Sequence, residues 1–158
     1  MRELILLRHA HAEPAGQSQA DLDRPLSAEG LAEAEAAGRW LAQKNLIPDC
    51  VLCSPSRRTR ETLESVLSAI GYVEQRIEPS IYDATPGTLI SLADTHIEVE
   101  RLMVVGHNPG LERLAALLHS GQSGDYRGMP PGGIAVLTVP AGTALEPGVA
   151  QLSEFWWP

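Results

Sequence analysis

The chain has 158 residues, 44% of them hydrophobic, and a formal net charge of −8. That size and apolar content suit one domain spanning residues 1–158 around a single core, and the acidic balance argues against a nucleic-acid partner, whose phosphates call for clustered Lys and Arg in excess. No apolar stretch is long enough to cross a bilayer, and the run at 4–7 is too short and too soon followed by charge for an export signal, so no membrane partner and a cytoplasmic location are expected.

Residues 4–7, Leu-Ile-Leu-Leu, are apolar without alternation, which is how a strand buried on both faces of a parallel sheet reads, and they stop abruptly at Arg8-His9. The polar stretch 13–24, with Pro14, Gly16 and Ser18, reads as a surface loop. Ser27 caps a predicted helix at 28–44, with Leu31, Ala34, Gly38 and Leu41 at helical spacing and Leu26 with Leu31 as an entry staple. A short buried strand is predicted at 49–53, then a helix at 56–70 ended by Gly71, with Leu63, Val66, Leu67 and Ile70 on its core face.

Thr85-Pro86 opens a further helix to about residue 94. Leu102 to Val105 in succession repeat the pattern of the first strand and end in Gly106-His107, and Pro109 suits the first turn of a helix reaching about residue 119. The Gly- and Pro-rich segment 120–133 reads as loop, 134–139 as a strand and 151–156 as an edge strand. Strands alternating with helices predict an α/β domain of three layers, a largely parallel central sheet flanked by helices.

In such sheets ligands bind beyond the carboxyl ends of strands. Arg8-His9, the run from Ser54 to Arg58, and Gly106-His107 all fall there. Arg2 and Arg8 lie near the start, and Arg57, Arg58 and Arg60 fall within four residues; a small cationic pocket on an acidic body suits a small anionic group. Arginine offers paired donors matched to phosphate oxygens and keeps its charge. A neutral histidine beside it can attack phosphorus, splitting one hard step into two easier ones.

Three motifs carry a resemblance. Leu7-Arg8-His9-Ala10 resembles the signature strand end of the histidine phosphatase superfamily, with Ala10 where Gly is frequent. Ser54-Pro55-Ser56-Arg57-Arg58-Thr59-Arg60-Glu61-Thr62 is similar to its second motif, and Gly106-His107-Asn108-Pro109-Gly110 to its third. Their order and spacing look most like the small SixA-type phosphohistidine phosphatases, as do Asp23-Arg24-Pro25-Leu26-Ser27 and Glu29-Gly30.

The resemblance implies a phosphoglycerate mutase-like fold, no cofactor and no metal, and phosphorylation of His9 while Arg8, Arg58 and His107 hold the phosphoryl oxygens; two arginines and a cationic His107 suffice to neutralise them without magnesium. Asn108 and Arg24 are candidate substrate-binding residues; Arg24 reads equally as a solvated charge or a partner for Asp21. Ester-cleaving relatives carry a glutamate that protonates the leaving oxygen, and here Asp83 is the nearby candidate. An imidazole leaves more readily than an alkoxide. A weak acid or none therefore favours a phosphohistidine-containing protein as substrate, with a small phosphorylated molecule as the alternative, a non-catalytic phospho-group binder as a rival class and a mutase as a third reading.

Other residues read more plainly. His11, His96 and His119 suit surface or helix-end roles, and Arg57 and Arg60 exposed helix charges. Cys50 and Cys53 sit three apart on a predicted strand and so face opposite ways, as buried small hydrophobes do. Phe155-Trp156-Trp157 reads as cover for a core edge or a docking patch.

Overall fold

The computed structural model describes residues 2–124 and 128–158, so positions 125–127 of the predicted loop at 120–133 lie outside the described residues. Among the described residues the strands β1 (Arg2–Arg8), β2 (Cys50–Cys53), β3 (Glu74–Ile77), β4 (Arg101–Gly106), β5 (Ile134–Val139) and β6 (Gln151–Trp156) form one sheet in the order β3-β2-β4-β1-β5-β6. The first four of that order run parallel, while β5 is antiparallel to both β1 and β6. Among the described residues the sheet is thus largely parallel, as expected, with β5 running against the other five strands.

Helices α1 (Ala28–Gln43), α2 (Arg57–Ile70), α3 (Pro86–Asp94) and α4 (Gly110–Ser120) cover it. Three start where a hydroxyl accepts from a first-turn amide: Ser27 from Gly30, Ser56 from Thr59 and Thr85 from Thr88. The period-two geometry of a strand splits the apolar runs between the two faces. Leu4 and Leu6 pack with Leu89, Leu111, Leu114 and Leu118 of α3 and α4. Ile5 and Leu7 pack with Ala37, Leu41, Leu63 and Val66 of α1 and α2. All four β1 side chains are fully buried, each stabilising the fold by roughly 1.5–3 kcal/mol. This makes the three layers.

Cys50 and Cys53 are free and buried and belong to opposite layers. Trp156 stacks on Trp40 at 5.4 Å between ring centroids, covering the edge of the α1 layer, while Trp157 is exposed. No helix among the described residues is long and apolar enough to cross a membrane.

One strand was not anticipated and two expectations fail, each for a physical reason. Strand β3 has no apolar alternation because all four of its residues are exposed at the sheet edge. Leu31 is 45% exposed, so it neither faces the core nor staples the entry of α1; the buried face is Gly30, Ala34, Ala37, Gly38 and Leu41. A Cβ on Gly30 would lie 1.9 Å from the His11 carbonyl oxygen, so the first turn of α1 sits directly on the chain leaving β1. Arg2 does not join the cationic pocket. It is buried at the opposite end of β1, donating to Ala93 at the end of α3.

Candidate active site

Register brings the site together. Arg8 lies opposite Gly106, and Cys53 opposite Val105, so β1, β4 and β2 finish side by side. One residue further, the His9 amide donates to Gly106 at 3.0 Å and the Ser54 amide to Val105 at 3.1 Å. His9 and His107 leave the sheet here, with ring centroids 5.3 Å apart.

The His9 ring is held by its Nδ1, 2.7 Å from the Ala10 carbonyl oxygen. A carbonyl only accepts, so Nδ1 carries the proton and Nε2 keeps its lone pair. Ala10 is itself pinned: its amide donates to Thr62 Oγ1 at 3.0 Å, and that hydroxyl donates to the Arg58 carbonyl at 2.8 Å. The Ala10 methyl is fully buried with Leu26 and Ala34.

Burial, with the Arg58, Arg8 and Arg24 charges and against the Ala10 hydrogen bond, lowers the His9 pKa to about 4. Burial, then His9 and Arg58, lowers that of His107 to about 3. Burial and the neighbouring positive groups therefore work against the cationic His107 that was expected and favour its neutral form. Its Nε2 lies 2.7 Å from Ser54 Oγ. Since both rings stay neutral above their lowered pKa values, their ring C–H signals should hold still in NMR spectra taken between about pH 5 and pH 8. A midpoint near 6.5 for either ring would contradict this.

Two arginines reach the same place from different elements. Arg58, in the first turn of α2, is 6% exposed and donates Nη1 to the Asp21 carbonyl at 2.8 Å and Nη2 to the Asp21 carboxylate at 3.0 Å. Arg8 donates Nη1 to the Met129 carbonyl at 2.8 Å. The Nε atoms of both are buried without a partner among the described residues. A buried unpaired donor is costly, and an anion bearing several oxygens would satisfy both.

The other sequence candidates lie around this centre. Arg24 is the partner of Asp21, at 3.0 Å, and also donates to the Glu13 carbonyl at 2.9 Å. Asn108 donates to Met129 at 2.9 Å and to Glu112 at 3.1 Å, and its Oδ1 accepts from the Glu112 amide at 3.3 Å. That side chain braces Arg8 through the carbonyl they share. Asp83 is exposed and lines a cleft of about 260 Å³ together with His107, Tyr82, Asn108 and Arg113.

His11, His96 and His119 instead hydrogen-bond to Ser27, Leu92 and Leu152 respectively. Arg57 pairs with Glu61 and Arg60 donates to Pro55, both on the exposed side of α2. Tyr82, Ser54 and Thr62 were not singled out in the sequence for these contacts, nor was Asp21 for its contacts with Arg58 and Tyr82. Ser54 and Thr62 carried a signal as members of the second motif, and Asp21 only as a candidate partner for Arg24, the contact that the structure shows. No group of three or more His, Cys, Asp or Glu able to hold a metal ion occurs among the described residues.

Comparison with known proteins agrees with this layout. Residues 4–104 match the family model of the histidine phosphatase superfamily (branch 1). An uncharacterised protein of Mycobacterium tuberculosis is 38% identical, covering 96% of this chain and 99% of its own. A candidate phosphohistidine phosphatase SixA from Agrobacterium tumefaciens superposes with a TM-score of 0.86 at 31% identity, over 99% of this chain and 98% of that one. SixA bound to tungstate, at 23% identity and a TM-score of 0.83 over 98% and 96% of the two chains, shares the fold. With its motifs gathered at the aligned ends of three parallel strands, the chain belongs to the histidine phosphatase superfamily.

Proposed function

We propose that this protein is a phosphohistidine phosphatase that passes the phosphoryl group through His9. The observation that carries the reading is the fixed tautomer of His9: Nδ1 is committed to Ala10, and Nε2 is free beside two arginines whose buried Nε atoms lack partners. Nε2 attacks phosphorus and the substrate's P–N bond breaks; its electron pair stays on the substrate nitrogen, and because the other nitrogen of that ring carries a proton, the imidazole departs neutral. Water then attacks the phosphorus of phospho-His9, releasing orthophosphate and restoring the neutral ring.

Arg8 and Arg58 neutralise the phosphoryl oxygens as charge spreads over them. His107, its Nε2 hydrogen-bonded to Ser54 Oγ, stands beside His9 and contributes a further polar ring to the phosphoryl site. Arg24 lies close enough to lower the His9 pKa, which supports a role for it at the rim of the phosphate site. The positive groups here are side chains, so no metal ion has a part in this scheme. Two free buried thiols suit a reducing cytoplasm, and the substrate is a phosphohistidine on a protein or a small phosphorylated molecule.

The resemblance of the strand-end motifs to SixA-type enzymes and the match to the Agrobacterium structure support phosphohistidine. A second reading, hydrolysis of small phosphate esters, is favoured by the position of Asp83 in the cleft that His107 lines. The test is kcat/KM on a phosphohistidine-bearing protein against an aryl phosphate, with a chelator present, for the wild type and Asp83→Asn. The account expects the phosphohistidine substrate to be preferred and unaffected by Asp83→Asn, because a substrate imidazole protonated on its far nitrogen leaves neutral without a proton from an enzyme acid. A preference for the ester that Asp83→Asn removes would establish the second reading. Loss of activity on both substrates would overturn the leaving-group argument.

A further inference from the structure

Asp21 sits on a single 3-10 turn, Asp21–Asp23, in the polar loop after β1, and its side chain is 51% exposed. A carboxylate in such a place is ordinarily a solvated charge. Here it is a hub. Its Oδ2 accepts from Arg58 Nη2 at 3.0 Å and from the Tyr82 hydroxyl, its Oδ1 accepts from Arg24 Nη1 at 3.0 Å, and its backbone carbonyl accepts from Arg58 Nη1 at 2.8 Å. The Tyr82 ring in turn stands edge-on to His107 at 5.4 Å and lies 5.9 Å from the Arg58 guanidinium carbon. Tyr82 first, then Arg24, hold the Asp21 carboxyl well below the usual carboxylate range, so it is ionised throughout the working pH.

One residue therefore grips both terminal nitrogens of Arg58, one arm of Arg24 and the tyrosine that flanks His107. We infer that Asp21 is a positioning residue for phosphoryl transfer: it orients Arg58 and Arg24 toward the phosphoryl oxygens without touching the transferring group. This rests on the phosphoryl-transfer reading of the site. The opposite role, a carboxylate standing in the phosphate position and competing with it, fits the contacts less well. A competitor would be drawn to the buried unpaired donors, yet the Nε atoms of Arg58 and Arg8 are left open while Asp21 takes the terminal edge of Arg58. The two terminal nitrogens of Arg58 are engaged by Asp21, and its Nε remains for a ligand.

The test measures orthophosphate affinity by calorimetry, together with kcat/KM, for Asp21→Ala and Asp21→Asn, each also in an Arg58→Ala background. Asp21→Ala should weaken orthophosphate binding and lower kcat/KM by about tenfold to a hundredfold, since a small misplacement of a charged clamp is enough for that. Asp21→Asn, which keeps an oxygen acceptor, should lose less. The effect should shrink in the Arg58→Ala background, because the two residues act through one contact, whereas a purely structural role would add. Thermal midpoints should move little, as the carboxylate is half exposed. Tighter orthophosphate binding by Asp21→Ala, or binding equal to wild type, would overturn the inference. Affinity is read without turnover, so this failure is distinct from a wild type that binds orthophosphate but forms no phosphoenzyme, which would sink the phosphoryl-transfer reading itself.

Discussion

His9→Ala is expected to abolish turnover and phosphoenzyme formation, by on the order of 10⁴-fold or more, the scale seen when a covalent nucleophile is removed. The same variant should remain folded. The backbone link from the His9 amide to Gly106 does not depend on the side chain, and the ring's fixed bond is a single contact to Ala10. Removing a ring that is already held neutral also leaves no buried charge unpaired. Wild-type circular dichroism with no acid-labile phosphate on the protein is the expected pair of observations. A pure His9→Ala protein with near wild-type rate would show that another group takes the phosphoryl.

Arg58→Ala should cost about 10²- to 10³-fold in kcat/KM, the usual loss when one preorganised donor to a developing charge is deleted. The structural reason is that Arg58 is the buried member of the pair, at 6% exposure, and brings an unpaired Nε into the site from the first turn of α2. Arg58→Lys keeps the charge but not the planar fork that Asp21 grips, so it should recover only part of the loss. Steady-state kinetics on the preferred substrate decide this. Unchanged kcat/KM in Arg58→Ala would remove that residue from the phosphate site.

The layers and the strand-end motifs are legible in the sequence for a common reason. Leu4 to Leu7 and Leu102 to Val105 are buried on both faces and so carry continuous apolar runs, and the chemistry sits where those runs stop. The helix starts at Ser27, Ser56 and Thr85 are legible because capping is local. What is not legible depends on meetings between distant segments. Strand β3 is recognised by pairing with β2, since its own residues are exposed.

Leu31 fits the helical spacing, but α1 rests on the small residues Gly30, Ala34 and Gly38, which carry little hydrophobic signal. The neutral state of His107 follows from its burial and from having His9 and Arg58 as neighbours, neither of which its own segment reveals. Asp21 meets Arg58 across 37 positions and Tyr82 across 61. Periodicity and short motifs do not reach that far.

The most direct test of the central claim is a rapid-quench experiment on the wild-type enzyme with radiolabelled phosphohistidine protein, followed by peptide mapping. The account predicts a transient, acid-labile and base-stable label on the peptide that contains His9, formed and lost at rates compatible with turnover. Turnover with no protein-bound phosphate, or a label on a peptide without His9, would contradict it.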